Sequence, residues 1–389
     1  MIPLHEMRFR SSPFIDLKQL ADLAPEQREP FRELESDSDF YGLFVPRPPL
    51  TMNIKSVGRQ TAELFRNLSM PSRLDSALLG DDEYRDDVVD LVLDGILEVE
   101  SGDEFLSGAD ALAVVLPVVC VPPSEPDVRN AAARLSRDAL LHAQDLETAD
   151  PQLLTTALYL YNRIPLSPFW KKRFPNRDAV SSHLGVDRGP LRVLLERDWV
   201  ANPPERSNGW LSWFQKNAPP RTAGGVTHKL YVSPRPERIR DAFEVVVRVL
   251  TGYPGAQFKI GQDAAGLLRP DKLVTYFMSR EQLDDAAAML QRELAGCEAQ
   301  GVPFTAGIDD AGLLSRGIDP PDSDRALSWL GRESWRLWVV QRLAAALSLA
   351  KSARSASAVE PWRFAIERAR RQGVDIETWT PSATLWSES

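Results

Sequence analysis

Of the 46 basic residues in this 389-residue chain, nine are lysines and 37 are arginines. Three of the nine, Lys229, Lys259 and Lys272, fall within 44 positions of one another. Arginine carries charge and grips phosphate, but it cannot lose its proton near neutral pH, whereas lysine can. Each of the three lysines sits in a short run that reads as a β-strand: HKLYVS from 228, QFKI from 257 and KLVTYF from 272. Side chains alternate along a strand. Lys229, Tyr231 and Ser233 therefore share one face, opposite Leu230 and Val232, and Gln257 and Lys259 oppose Phe258 and Ile260. Lys272, Val274 and Tyr276 oppose Leu273, Thr275 and Phe277. Pairing the three strands in one sheet gives a polar face with three lysines and two tyrosines, with Arg269 just before the third strand. His228 falls on the other face.

Cations among phenols form a receptor for a phosphate dianion. Like-charge repulsion in such a cluster lowers lysine pKa values, and a lysine poised near neutrality can serve as a general base. Together these properties suit removal of a Cα proton with loss of a β-phosphate, which is β-elimination from phosphoserine or phosphothreonine.

Several elements must position this face. The stretch 237–250, with Ile239, Phe243, Val246, Val247 and Leu250 at helical spacing, covers the apolar side of the sheet. A long amphipathic helix is expected over 280–300, another from Trp335 to Leu349 and a last one over 362–372. Upstream, 201–226 is rich in Pro, Gly, Asn and Ser with Trp210, Trp213 and Phe214 embedded, and reads as a linker with an aromatic anchor. Residues 126–165 read as packed helices, and 177–199 as a helix pair broken at Gly185. The first 50 residues mix short helical pieces with polar segments. Helices over 52–68 and 82–93, a strand at 96–99, a turn at 101–103 and a returning strand at 104–106 give a winged-helix order. The fold class expected is α+β, in three parts: a winged-helix-like module over 1–125, a helical region and linker over 126–225, and an α+β domain over 226–389.

Composition removes several classes of function. A net charge of −9 disfavours nucleic acid, whose phosphates need a basic footprint. The helix at 82–93 carries Asp82, Glu83, Asp86, Asp87 and Asp90 against only Arg85, which counts against a DNA-binding regulator. No apolar run reaches the ~18 residues of a membrane span, and the N-terminus lacks an apolar signal core. Cys120 and Cys297 make no disulfide framework, and the four histidines are scattered. We expect a cytoplasmic protein without metal or cofactor.

The segments HKLYVS, QFKIG and LLRPDKLVTYF, in that order, resemble the phosphothreonine-lyase fold of type III secretion effectors and of the lyase domains of lanthipeptide synthetases. Residues 302–321 (VPFTAGIDDAGLLSRGIDPP) and the Trp-rich helix after them are more similar to the Hop-type effector A domain, a separate lyase subunit in some lanthipeptide and thioamitide pathways. The resemblance covers about 226–349. It implies that Lys259, which follows Phe258, is the base, that Lys229 binds phosphate, and that Arg269 and Arg316 clamp it; the alternation of the strands adds Lys272 and Tyr276 to the same phosphate-binding set. The family's general acid is a histidine two residues after the phosphate-binding lysine. Here that position is Tyr231, which leaves the acid open among Tyr231, Tyr276 and His228.

The resemblance also implies a phosphorylated precursor peptide with a leader as substrate, a separate kinase-like protein, a hetero-complex with them, and dehydroamino acids as products of ribosomal peptide (RiPP) biosynthesis. The stretch GILEVESGDEFLSG fits a wing to which a leader peptide adds as a strand, as in leader-peptide recognition elements. The competing reading is a non-catalytic leader-peptide-binding subunit of a peptide-modifying complex, which the tyrosine at the histidine position favours. Asp319-Pro320-Pro321 reads as a turn.

Overall fold

The computed structural model describes residues 4–48, 50, 52–77, 79–116, 130–203, 209–216, 218, 227–319, 333–353 and 359–382. Cys120, Pro320, Pro321 and most of the 201–226 stretch lie outside the described residues.

The chain is α+β. Its first part runs β1 (Arg8–Ser11), β2 (Ile15–Lys18), α1 (Pro25–Arg28), β3 (Phe40–Pro46), β4 (Lys55–Gly58), α2 (Arg59–Asn67), β5 (Ser72–Arg73), α3 (Asp82–Leu93), β6 (Leu97–Ser101), β7 (Glu104–Leu106) and α4 (Gly108–Val115). These strands form two small antiparallel sheets, ordered β5-β1-β6-β7 and β2-β3-β4. The Asp81 carboxylate opens α3 by accepting hydrogen bonds from the Glu83 and Tyr84 amides, satisfying donors that a helix start leaves unpaired. The sequence reading missed the strands before residue 50, and it ran one helix over 52–68 where β4 precedes α2. The segment 40–46 alternates too imperfectly to announce itself, because Leu43, Phe44 and Gly42 are all buried in succession.

The middle of the chain is helical: α5 (Ala131–Asp145), α6 (Pro151–Tyr159), α7 (Pro168–Arg173), α8 (Arg177–Leu184) and α9 (Pro190–Asp198). Gly185 ends α8 in the left-handed conformation (φ 74°), which glycine adopts without a Cβ clash. Two strands follow, β8 (Trp199–Ala201) and β9 (Trp210–Gln215). The expected linker is therefore in part a sheet strand. Trp213 is no loose anchor, since its ring stacks on Phe258 at 5.1 Å between centroids.

The remainder is β10 (Thr227–Val232), α10 (Ile239–Leu250), β11 (Gln257–Gly261), α11 (Ala264–Leu267), β12 (Leu273–Phe277), α12 (Arg280–Glu293), β13 (Ala306–Gly307), β14 (Leu314–Asp319), α13 (Trp335–Lys351), α14 (Pro361–Arg371), β15 (Val374–Asp375) and β16 (Thr380–Pro381). The main sheet has seven antiparallel strands in the order β13-β14-β10-β12-β11-β9-β8. The strands expected to carry the three lysines are thus adjacent, with Lys229 opposite Tyr276, Lys259 opposite Val274 and Lys272 one residue before β12. The helix expected over 280–300 stops at Glu293, and Gln300 takes a separate role described below.

Two apolar cores hold the molecule. In one, Leu230, Val232, Phe258, Ile260, Leu273 and Phe277 of the sheet meet α10, α12 and the α8–α9 pair. The other joins the amino-terminal elements and α5–α6 to α13 and α14. Because α13 belongs to this second core yet reaches the polar face of the sheet, it ties the two halves together. Among the described residues no helix is long and apolar enough to cross a membrane.

Candidate active site

The polar face of the sheet is built on alternation. Tyr231, Val274 and Tyr276 pack together with Val302, while their strand neighbours go to the helical core. Lys229 and Lys259 flank the ring of Tyr276, with Nζ 5.3 Å and 5.5 Å from its centroid. On its other side the Lys259 ammonium lies 4.4 Å from the ring of Trp210, on β9. The Arg269 guanidinium lies 5.1 Å from the same indole. Lys259 is half-buried and makes no ion pair among the described residues. Burial, the neighbouring Lys229 and, to a lesser extent, Arg269 push its pKa down from 10.5 to about 8, against the pull of Asp271 and Asp319. A fraction of Lys259 is therefore a neutral amine near neutral pH, as a base requires.

Lys229 is nearly buried and pairs with Asp319 at 2.5 Å. Arg269 donates from Nε and Nη2 to the two carboxylate oxygens of Asp271, both at 2.9 Å. Asp271 also accepts from Tyr159 Oη at 3.2 Å and Arg336 Nη1 at 3.2 Å. Burial alone would raise the Asp271 pKa. The guanidiniums of Arg336 and Arg269, with the hydrogen bonds from Arg269 and Tyr159, outweigh it and bring Asp271 to about 2. Arg336 is 1% exposed and is fully engaged, donating to Pro303 O at 3.0 Å and Tyr159 O at 2.6 Å. Its guanidinium lies 4.3 Å from the Tyr159 ring centroid.

Tyr231 lies deeper, in the field of Asp319, Tyr159, Arg336 and Asp271. Burial first, then the Asp319 charge, raises its pKa well above the usual 10, so it stays a proton donor. Gly317 on β14 leaves room for this ring, since a Cβ there would stand 3.3 Å from Tyr231 Cε2.

The expected site residues therefore divide. Lys229, Lys259, Tyr276 and Arg269 come together, with Tyr231 behind them. Lys272, expected to bind phosphate, is 0% exposed. Its ammonium donates to Pro234 O at 2.9 Å and to Gln300 Oε1. Burial brings its pKa down to about 7, lower than that of Lys259. It is nevertheless sealed from any ligand, and of the two lysines with lowered pKa values Lys259 is the accessible one. His228 alternates with Lys229 and falls on the side of Leu230 and Val232, away from the cluster. Arg316, opposite Leu230 in the register, lines a separate cleft of about 80 Å³ with Asn130, Thr378 and Trp379. The sequence reading missed Trp210, Tyr159, Asp271 and Arg336 as parts of the site, and favoured a turn for Asp319 over a role as an acid/base carboxylate. The one local signal was the run Arg269-Pro270-Asp271-Lys272, whose alternating charges mark a paired site.

No family model and no curated protein matches the chain. Among solved structures it is similar to an effector protein from Pseudomonas syringae pv. tomato strain DC3000, at TM-score 0.38 and 11% identity over 66% of this chain and 98% of that one. It is also similar to an effector protein from Pseudomonas syringae pv. syringae strain 61, at TM-score 0.38 and 10% identity over 64% and 98%. This is a distant structural similarity.

Proposed function

We propose that the chain is a carbon–oxygen lyase that eliminates phosphate from phosphoserine or phosphothreonine in a precursor peptide, giving dehydroamino acids in lanthipeptide-type biosynthesis. The observation that carries this reading is an accessible lysine with its pKa at about 8 beside a second lysine and an arginine. In this reading the neutral Lys259 amine takes the Cα proton. The electron pair left on Cα forms the Cα=Cβ bond as the Cβ–O bond breaks. A phenol of this face, Tyr276 between the two lysines or Tyr231 behind them, donates its proton to the departing phosphate oxygen and is reprotonated from solvent or from the Lys259 ammonium. Lys229 and Arg269 hold the dianion, and Tyr276 spaces the two lysines. No cofactor is needed for these steps.

The same reading assigns leader recognition to 1–125, a helical spacer to 126–225 and the lyase chemistry to 226–389. A cleft of about 520 Å³ runs beside β7, the end strand of its sheet, lined by Arg10, Phe105, Leu106 and Leu349 among others. An open strand edge over a cleft suits addition of a peptide strand.

One observation favours the second reading, a non-catalytic leader-binding subunit: the phosphate-binding lysine is already paired with a nearly buried carboxylate. The deciding experiment is mass spectrometry of a leader-bearing phosphopeptide incubated with the protein. Loss of the elements of phosphoric acid, rising with pH through about 8 and reduced roughly 10²–10⁴-fold in Lys259→Arg, supports the lyase. A fully active Lys259→Arg protein overturns the base assignment. Leader binding without elimination moves the reading to the accessory subunit.

A further inference from the structure

The polar face of the main sheet continues past the lysine cluster. In the strand register Lys229 stands opposite Tyr276, Tyr276 opposite Gln257, Gln257 opposite Phe214 and Phe214 opposite Val200. Directly opposed residues share a face, so one row of side chains runs from the cluster to β8, the end strand. In the next row Lys259 stands opposite Ser212, whose hydroxyl accepts from Asn202 Nδ2 at 2.9 Å. The alternate residues of β9 turn the other way. Leu211 and Trp213 enter the helical core, and the Gln215 side chain reaches Leu250 O, Thr251 O and the Gly255 amide.

Phe214 and Val200 are apolar, yet they join none of the apolar cores among the described residues. Phe214 is half-buried and Val200 is 37% exposed. A lone exposed valine needs no explanation; an apolar pair in register with the lysine cluster does. Gln257, between Phe214 and Tyr276, is half-buried, and its side-chain amide makes no hydrogen bond among the described residues. An amide both donates and accepts, which matches the two groups that an extended peptide backbone presents. Neighbouring strands lie ~4.8 Å apart, so Phe214 stands about one strand spacing and Val200 about two from the strand of Lys259. An extended peptide advances ~3.3 Å per residue. A phosphorylated residue at Lys259 therefore brings a neighbour one to three places away over the apolar pair.

We propose that Phe214 and Val200 form a specificity subsite that takes an apolar side chain of the substrate peptide, within three positions of the phosphorylated residue, while the Gln257 amide pairs with the peptide backbone. The inference rests on the lyase reading for the phosphorylated residue at Lys259. It adds that the flanking sequence is read, and by which side chains.

The test is saturation-transfer NMR on the full-length protein carrying Lys259→Arg, which keeps the charge and is expected not to consume the ligand. The probes are the heptapeptide Ac-Ala-Ala-Ala-pSer-Ala-Ala-Ala-amide and six relatives in which leucine replaces one alanine. Leucine in at least one place is expected to bind about tenfold tighter than alanine, with its methyl groups saturated from the protein. That preference should vanish in Phe214→Ser, shrink in Val200→Ser and persist in Phe214→Leu. Equal binding of all seven peptides overturns the subsite, as does no binding of any, or an undiminished preference in Phe214→Ser. A dimer seen in sedimentation of the parent and lost in Phe214→Ser assigns the pair to a second copy of the chain and also overturns it. A leucine preference in binding, without loss of phosphoric acid in the mass-spectrometric experiment, keeps the subsite and overturns the lyase reading alone.

Discussion

The carboxylate of Asp271 is the group on which the site's electrostatics turn, and Asp271→Asn tests that directly. Asp271 is 5% exposed and binds two guanidiniums and a phenol. A fall in its pKa from 3.8 to about 2, at ~1.4 kcal/mol for each tenfold change in proton affinity, contributes about 2 kcal/mol to the native state. Because the folded value is depressed, that contribution is fully present above pH 3.8 and is lost as pH falls through about 2. Asparagine removes it at every pH and also leaves Arg336 buried without a counter-ion. Losing one partner of a buried pair costs ~3–5 kcal/mol, so the larger figure applies at neutral pH. Urea unfolding at pH 7 should show a midpoint shift of that size with an unchanged slope. Repeating it between pH 4 and 2 should show a shallower acid loss in the variant than in the parent. The carboxylate also raises the Lys259 pKa, so in Asp271→Asn the rising limb of elimination activity should move below pH 8. A variant within ~1 kcal/mol of the parent and with the same acid dependence would refute this account of the network.

Two further perturbations separate the lysines. Trp210→Ala opens the Lys259 ammonium to water, and since burial is the leading cause of its low pKa, the activity limb should move upward toward 10.5, read as a pH profile of kcat/KM. Lys272→Met should leave that limb in place and alter stability instead. The Lys272 pKa is about 7 when folded and 10.5 when exposed, so the parent gains stability as pH rises from 7 to 10.5, by an amount on the order of 5 kcal/mol. Thermal unfolding across that range should show the gain in the parent and not in the variant.

Which face each lysine occupies was legible because alternation is local. Lys229 and Tyr231 part from Leu230 and Val232 whatever the rest of the chain does, and the apolar stripe of α10 announces what covers the opposite face. What each cation is paired with was not legible. Asp319 lies 90 positions from Lys229, and Arg336 lies 65 from Asp271. These pairs exist because β14 sits beside β10 and because α13, anchored in the other core, projects Arg336 onto the sheet. Trp210 was hidden for another reason. Its strand is short and flanked by Pro, Gly, Asn and Ser, so composition reads as linker although pairing with β11 makes it sheet. Lys272 shows the limit of alternation itself. The rule puts it in line with Val274 and Tyr276, but the segment carrying Gln300 closes over it.

The pairing of Lys229 and Arg269 with aspartates bears on whether this face is a receptor or only a buried charge network. Lys229 has three N–H donors and Asp319 is the one carboxylate it pairs with among the described residues. Arg269 spends Nε and Nη2 on Asp271 and leaves Nη1 without a partner among the described residues. Each aspartate thus fixes a cation's position while leaving donors available. A cation held in this way loses little rotamer freedom when a ligand arrives, whereas a solvated lysine on a sheet surface would lose most of its own. A purely structural network needs every buried nitrogen used, as in Arg336, whose Nε, Nη1 and Nη2 each donate. All three nitrogens of Arg336 donate, whereas Arg269 keeps Nη1 and Lys229 keeps donors without a partner among the described residues; that difference is what the proposed reading expects of a scaffold cation and of two cations left able to receive an anion.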